Sequence, residues 1–456
     1  MAPELDVDYL VVGAGAAGLA FTDALVDHSD ATVALVDRRD VPGGHWRDAY
    51  PFVRLHQASQ FYGVASTVLG GAVQTDGPEA GLHERATKEQ VLAYYDAVLA
   101  RLEGTGRVAF HGGVEHAGAG RLLDAGGAPT AGVRPGTRLV DARYLSPVIP
   151  ARGAPPFAVA PGARVVTVGR LDEALDAARL VIVGSGKTAT DAIVHALGAG
   201  VPPDRLTWIR PRDPWMLDRA VVQPDPAVFL GLVAATWEAA AAASDLDDLF
   251  LRLEDAGVMM RIDPAVTPTM AKTPTLGRWE LDLLRSVEHV VRRGHVRAVK
   301  PGRIVLDRGD VPVPPGTVVV HCAADGLPRP PRVPVWAPDA ITLQPIRSGF
   351  PCFGAALTGF VEATRTGTAR KNALCPPTQY GDTLADWAEM TVRGARSSAA
   401  FLGDPDVRSW ADTVALNPAR IPPGLSSPAL DDARARIARS ASAGTDRLAA
   451  LAGLAA

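Results

Sequence analysis

The sequence predicts an α/β protein: two strand–turn–helix–strand units, the second inserted into the first, followed by a helical tail. Three observations carry this. A glycine-spaced turn follows a short apolar run near the N-terminus. The same pattern returns after a proline-rich stretch. From Leu384 onward the chain is alanine-rich with helical patterning.

The first unit spans Tyr9 to Asp37. Tyr9 to Val12 reads as a buried parallel strand, and Gly13, Gly15 and Gly18 follow in G-x-G-x-x-G spacing. A helix is expected through Leu19, Ala20 and Ala24 to about His28, and a second apolar run, Thr32 to Val36, ends on Asp37. Gly13 suits the tight turn, Gly15 lets a backbone approach a pyrophosphate, and Gly18 lets helix and strand pack closely. The free N–H groups at the helix start, around Ala16 and Ala17, and the helix dipole favour phosphate. Asp37 sits where a carboxylate can accept hydrogen bonds from an adenosine ribose, with Arg38 beside it. The unit therefore predicts a dinucleotide site, and Val114 is added to its expected lining.

Composition narrows the partners. With 46 Lys+Arg against 50 Asp+Glu the charge is nearly balanced, so nothing suggests nucleic acid. The chain enters its first strand at once, leaving no room for a signal peptide. The apolar run Val228 to Trp237 is broken by Glu238, short of the roughly 20 residues of a membrane span. Cys322, Cys352 and Cys375 form no C-x-x-C pair, which argues against a zinc or redox-disulfide site and fits a reducing compartment. A cytoplasmic protein with no membrane partner and no metal is expected; the oligomeric state stays open, a homodimer among the options.

Between the units, Val41 to Gln57 is rich in turn formers and aromatics, with Phe52 to Leu55 strand-like. Residues 87–103 predict an amphipathic helix capped by Thr87 with Gln90 completing a capping box. Val108 to Phe110, extending toward Glu115, suggests a strand, and residues 117–137 an excursion of hairpins or loop. The proline-rich stretch Pro147 to Pro161 suggests a linker.

The second unit begins at Arg179-Leu-Val-Ile-Val-Gly184-Ser-Gly186-Lys187-Thr188-Ala189-Thr-Asp191, again strand, glycine turn and helix. Its next strand, Leu206 to Ile209, ends in Arg210 and Arg212, where the first unit has an acid. A guanidinium there pairs with a ribose 2′-phosphate that an Asp would repel, so NADPH is favoured over NADH. Lys187 is a candidate for the pyrophosphate; the Gly-Lys-Thr end lacks the spacing of a phosphate-hydrolysing loop. Residues 225–292 are expected to be mainly helical, beta patterning resumes at His295 to Leu306, and Ile341 to Ala363 reads as strand, turn and helix. Two dinucleotides on one chain imply a nicotinamide passing hydride to a flavin.

With Asp37, Gly43-Gly44-His45-Trp46, Tyr50-Pro51, the second glycine turn and Ala323-Ala-Asp-Gly326, the chain resembles the class B flavoprotein monooxygenases over roughly residues 8–365. That group comprises flavin-containing, Baeyer–Villiger and N-hydroxylating monooxygenases. The resemblance implies FAD in the first unit, NADPH in the second, and oxygenation of a small molecule by O2 through a flavin hydroperoxide. The protein then supplies no nucleophile and excludes water. The chain departs from the group at Pro156 to Arg164, which lacks the Phe-x-Gly-x-x-x-His stretch, and an NAD(P)H-dependent reductase or oxidase is the alternative. A flavoprotein acting only as a binding module is a further rival.

The expected FAD domain is 1–155 plus 321–400, the NADPH domain 165–320 with its helical insertion 225–292, and the tail 401–456. Gly44 and Trp46 are expected around the flavin. His56 and Gln57 are the candidates for its edge, His56 because imidazole titrates near neutrality. Ser59, Gln60 and Tyr62 could finish that wall, Trp215 to Arg219 could cap the nicotinamide, and the segment of Gln344, Arg347 and Gly349 is expected to face the flavin. Cys322 reads as inert core.

Overall fold

The computed structural model describes residues 3–118, 120–147, 149, 153–323 and 326–454. Two five-stranded parallel sheets organise the chain. The first has the strand order Ala340–Thr342, Arg138–Asp141, Tyr9–Val12, Val33–Val36, Val108–His111. Val12 stands opposite Val36 on one side and Asp141 on the other. The second has the order Arg164–Thr167, Thr317–His321, Arg179–Val183, Leu206–Ile209, Val290–Val291. The chain thus leaves the first sheet after Asp141, builds the second, and returns at Ala340.

The central strands are apolar over Leu10–Val12 and Leu180–Val183, as burial on two faces requires. Leu10, Val11, Leu180, Val181 and Ile182 are at most 1% exposed. Helix α1 (Ala16–Asp27) covers the first sheet and packs on the later helix Pro351–Thr364. Helix α2 (Lys88–Gly104) starts as expected: Thr87 Oγ1 accepts from Gln90 N (3.3 Å), and Gln90 Oε1 accepts from Thr87 N (2.8 Å). Helix α3 (Lys187–Gly198) follows the second glycine turn. Helices α4 (Pro226–Ala242), α5 (Leu246–Asp255) and α6 (Arg278–Arg285) form the elaboration, with the short strands Met259–Arg261 and Thr275–Leu276 pairing Trp215–Asp218 between them. Helix α7 (Pro351–Thr364) returns to the first sheet, and α8 (Thr368–Leu374) follows. Of the tail helices α9 (Leu384–Leu402), α10 (Pro405–Thr413) and α11 (Pro428–Leu451), the last lies along α4. Gly444 is required there: a Cβ would stand 2.5 Å from the Trp237 carbonyl oxygen.

One expectation changes and one is made definite. Phe52 to Leu55 is not a strand; only Arg54 bridges to Thr87. The 117–137 excursion is a hairpin that joins Val114–His116 and Glu4–Leu5 in a four-stranded sheet. The Ala323–Gly326 turn cannot be followed, because Ala324 and Asp325 lie outside the described residues, as does part of the proline-rich linker. No described helix is long and apolar enough to cross a membrane.

Candidate functional site

A cavity of about 1570 Å³ opens beside the first glycine turn. That exceeds the roughly 300–1,000 Å³ of a single small-molecule site. Gly13, Gly15, Ala16, Ala17, Asp37, Arg38, Gly44, Trp46, His56, Gln57 and Val114 all line it, and so does Thr188 of the second unit. Gly18, Gly184, Gly186, Lys187, Ala189, Arg210 and Arg212 do not.

The first turn is built for close approach. Gly13 has φ +111° and donates to the Val36 carbonyl (2.8 Å). A Cβ on Gly18 would stand 1.9 Å from the Gly13 oxygen, so Gly18 packs the turn while Gly15 faces the cavity. Asp37 is held rigid: its Oδ2 accepts from Ala14 N (2.8 Å) and its Oδ1 from Arg39 N (2.9 Å). Gly43 and Gly44 both have positive φ, and a Cβ on Gly44 would reach within 2.9 Å of Gly15 Cα. The Gly-Gly pair therefore brings a second backbone against the first turn. Trp46, next along, donates to the Tyr62 hydroxyl (2.6 Å), and both rings face the cavity. Gln57 donates to the Gly349 carbonyl (3.2 Å), joining this wall to the turn before α7.

His56 faces the cavity, but its expected titration near neutrality is corrected. Burial pushes the imidazole down to about 3, with Lys187 and Arg85 adding to the effect. Burial, with Arg39 nearby, likewise pushes His45 down to about 4. Both rings are neutral in the fold where the unfolded chain protonates from about pH 6.5 downward. The unfolded state then binds more protons, so stability is expected to fall as pH drops below 6.5. Each histidine contributes a slope of up to about 1.4 kcal/mol per pH unit. Urea unfolding of His56→Gln between pH 7 and 4.5 should show a shallower loss than the parent; an equal loss would refute the assignment.

The second turn departs further from expectation. Gly184 (φ +145°) passes close under Cys322, a buried thiol whose acidity burial suppresses. Gly186 is open, with nothing within 4 Å of the position a Cβ would take. Lys187, however, is only 9% exposed and turns inward to Asp191, with Glu280 at 3.7 Å. Arg210 is 1% exposed, paired to Asp213 (2.8 Å) and stacked on Trp208 (4.4 Å). Neither cation is presented to a phosphate, because each is taken by a carboxylate within one turn along the chain, Asp191 for Lys187 and Asp213 for Arg210. Arg212 is the more accessible of the strand-end arginines and pairs with Asp382 (2.5 Å). Arg210→Ala is thus expected to lower stability by about 1–3 kcal/mol through the lost buried pairing and the lost stacking on Trp208, since Asp213 keeps Arg292 at 2.8 Å. It should change the KM values for NADPH and NADH alike; a selective rise for NADPH would restore Arg210 to the 2′-phosphate.

Other candidates separate cleanly. Trp215, Met216 and Arg219 are buried, leaving Leu217 of that segment at the cavity. Gln344 clamps the Val333 backbone (3.2 and 2.7 Å), and Ser59 donates to the Glu84 carbonyl. Arg347, Ser348 and Gly349 do line the cavity. Sequence reasoning misses its far lobe, formed by Phe229, Val233 and Trp237 of α4, Trp387 and Met390 of α9, and Ile437 of α11. The helical tail, which carries no motif, is a wall of the site. Apolar residues on facing helices leave no signature in the sequence, so only packing reveals this wall.

Residues 11–59 match the NAD(P)-binding Rossmann-like domain. Among solved structures the chain is similar to a polycyclic ketone monooxygenase from the thermophilic fungus Thermothelomyces thermophila. The identity is 13% and the TM-score 0.51, over 98% of this chain and 86% of that one. An oxidized steroid monooxygenase bound to NADP gives 15% and 0.50, over 97% and 98%. The chain shares their α/β fold, built on two five-stranded parallel sheets. By sequence the chain is 41% identical over 421 residues to "Uncharacterized protein Rv2000" of Mycobacterium tuberculosis (strain ATCC 25618 / H37Rv) and to "Uncharacterized protein Mb2023" of Mycobacterium bovis. Each match covers 91% of this chain and 78% of the relative. The chain belongs to that family.

Proposed function

We propose that this protein is an NADPH-dependent FAD monooxygenase that oxygenates a small molecule. One observation carries the reading: a single cavity runs from the Gly13–Gly15 turn and Asp37, past Gln57 and Thr188, into an apolar helical lobe. The first turn fits a dinucleotide, since Gly15 and Gly44, packed on each other, both line the cavity with no side chain in the way and Asp37 is fixed at the strand end. Residues 1–155 with 321–400 would form the FAD domain around it, and 165–320 the NADPH domain, entered at the open Gly186.

Bound there, FAD supplies the two-electron and oxygen chemistry, with NADPH as hydride source. The chain's own residues position and exclude. Trp46 and Tyr62 set one wall, the neutral His56 offers hydrogen bonding without charge, and the helical lobe keeps water from the reacting end. The test is turnover with NADPH under ¹⁸O2 across amines, sulfides and ketones. Incorporation of one labelled oxygen per NADPH is expected. NADPH oxidation with stoichiometric H2O2 and no labelled product would instead establish the reductase or oxidase. That second reading is favoured by the histidine-free stretch at Phe157, whose ring packs on His321 (5.5 Å).

A further inference from the structure

The cavity's far lobe is walled mainly by apolar side chains of α4, α9 and α11, and a guanidinium reaches it from the dinucleotide side. Arg347, in the turn before α7, has its guanidinium 5.9 Å from the Phe229 ring and 6.0 Å from the Phe353 ring. Among the described residues its side chain makes one hydrogen bond, from Nη1 to Ser398 Oγ, at 3.3 Å. No carboxylate pairs with it among those residues, and burial is the sole influence on its acidity, pushing it down to about 10. The other two guanidiniums held near 10 differ. Arg210 has Asp213 at 2.8 Å and Arg219 has Glu79 at 3.3 Å.

The turn that holds Arg347 is fixed on both sides. Ser348 donates to the Met390 carbonyl of α9 (2.9 Å), and Gly349 accepts from Gln57 on the dinucleotide side. Gly394 lets α9 come this close, since a Cβ there would stand 2.2 Å from Ser348 Oγ. Arg347 therefore stands at the junction of the dinucleotide end and the apolar lobe. An enclosed cation without a counter-charge is costly, and aromatic faces compensate only weakly. A guanidinium with free N–H donors facing a cavity suits a carboxylate, which it can hold through two parallel bonds.

We propose that Arg347 is a specificity-determining residue that binds the carboxylate of an organic acid whose apolar body fills the lobe between α4 and α9. The proposal names the substrate class of the site and rests on the cavity being that of the proposed monooxygenase. Its test is binding alone. The FAD-loaded full chain, in the oxidised form, is titrated with 4-phenylbutanoate and decanoate and with their amides, read by calorimetry and by flavin absorbance. The parent protein should bind each carboxylate about 10- to 100-fold more tightly than its amide. Arg347→Gln should abolish that preference by weakening the acids while leaving the amides within about twofold, and Arg347→Lys should keep part of it. No preference for acids in the parent, or equal weakening of acids and amides in the variant, would overturn the proposal. So would an Arg347→Gln protein that purifies without FAD, which would make Arg347 a flavin ligand. Should that variant not fold, the parent's ratio and the Lys variant decide. Failure to oxygenate leaves this result standing, and loss of acid preference leaves the ¹⁸O result standing.

Discussion

Gly18→Ala is expected to cost the protein its first dinucleotide and much of its stability. The added Cβ would lie 1.9 Å from the Gly13 oxygen and 3.3 Å from the Ala142 Cβ. Neither neighbour can yield, since one is the backbone of the turn itself and the other follows the adjacent strand. Helix α1 must then move off the sheet by more than an ångström. Overpacking of this kind costs about 3 kcal/mol and displaces the helix start that faces the phosphates. Flavin per protein in the purified variant should fall at least about tenfold, the effect of roughly 1.4 kcal/mol on binding. The urea midpoint should fall with it. A variant with full flavin content and an unshifted midpoint would mean that the turn is not packed as described.

Glu280→Ala should be the most destabilising charge deletion. Glu79, Glu280 and Asp191 face Arg85, Lys187 and Arg219 in one enclosed network, three acids against three bases. Arg85 pairs with Glu79 (2.6 Å) and Glu280 (3.3 Å), and Lys187 lies between Glu280 and Asp191. Tyr50 donates to Asp191 (2.6 Å), which ties the loop after the first unit to α3. Burial alone would raise the Glu280 carboxyl, but Lys187 and Arg85 hold it below its usual range. Removing it leaves a net buried positive charge, a loss of about 3–5 kcal/mol. Glu280→Met combined with Lys187→Met keeps the network neutral and should recover much of that loss. Equal unfolding midpoints for Glu280→Ala and the parent would show that water, and not Glu280, balances the cations.

The first unit is legible in the sequence because its constraints are local. Gly13, Gly15, Gly18 and Asp37 act on one another within thirty residues, and steric demands on a turn do not depend on the rest of the chain. The Thr87–Gln90 capping box is legible for the same reason, its partners being three residues apart. The two-unit α/β plan follows from repeating such a signal. Residues whose role depends on a distant counter-charge are not legible. Lys187 has the right type at the right spacing for phosphate, yet Glu280, more than ninety residues further along, stands beside it once the chain folds. The same holds in reverse for Arg347, which matters because no carboxylate among the described residues reaches it. Short-range sterics thus write the strand–turn–helix units into the chain itself. Which charges the fold consumes and which face the cavity is settled in three dimensions. Coulombic pairing and desolvation depend on distance in space, and separation along the chain does not encode it.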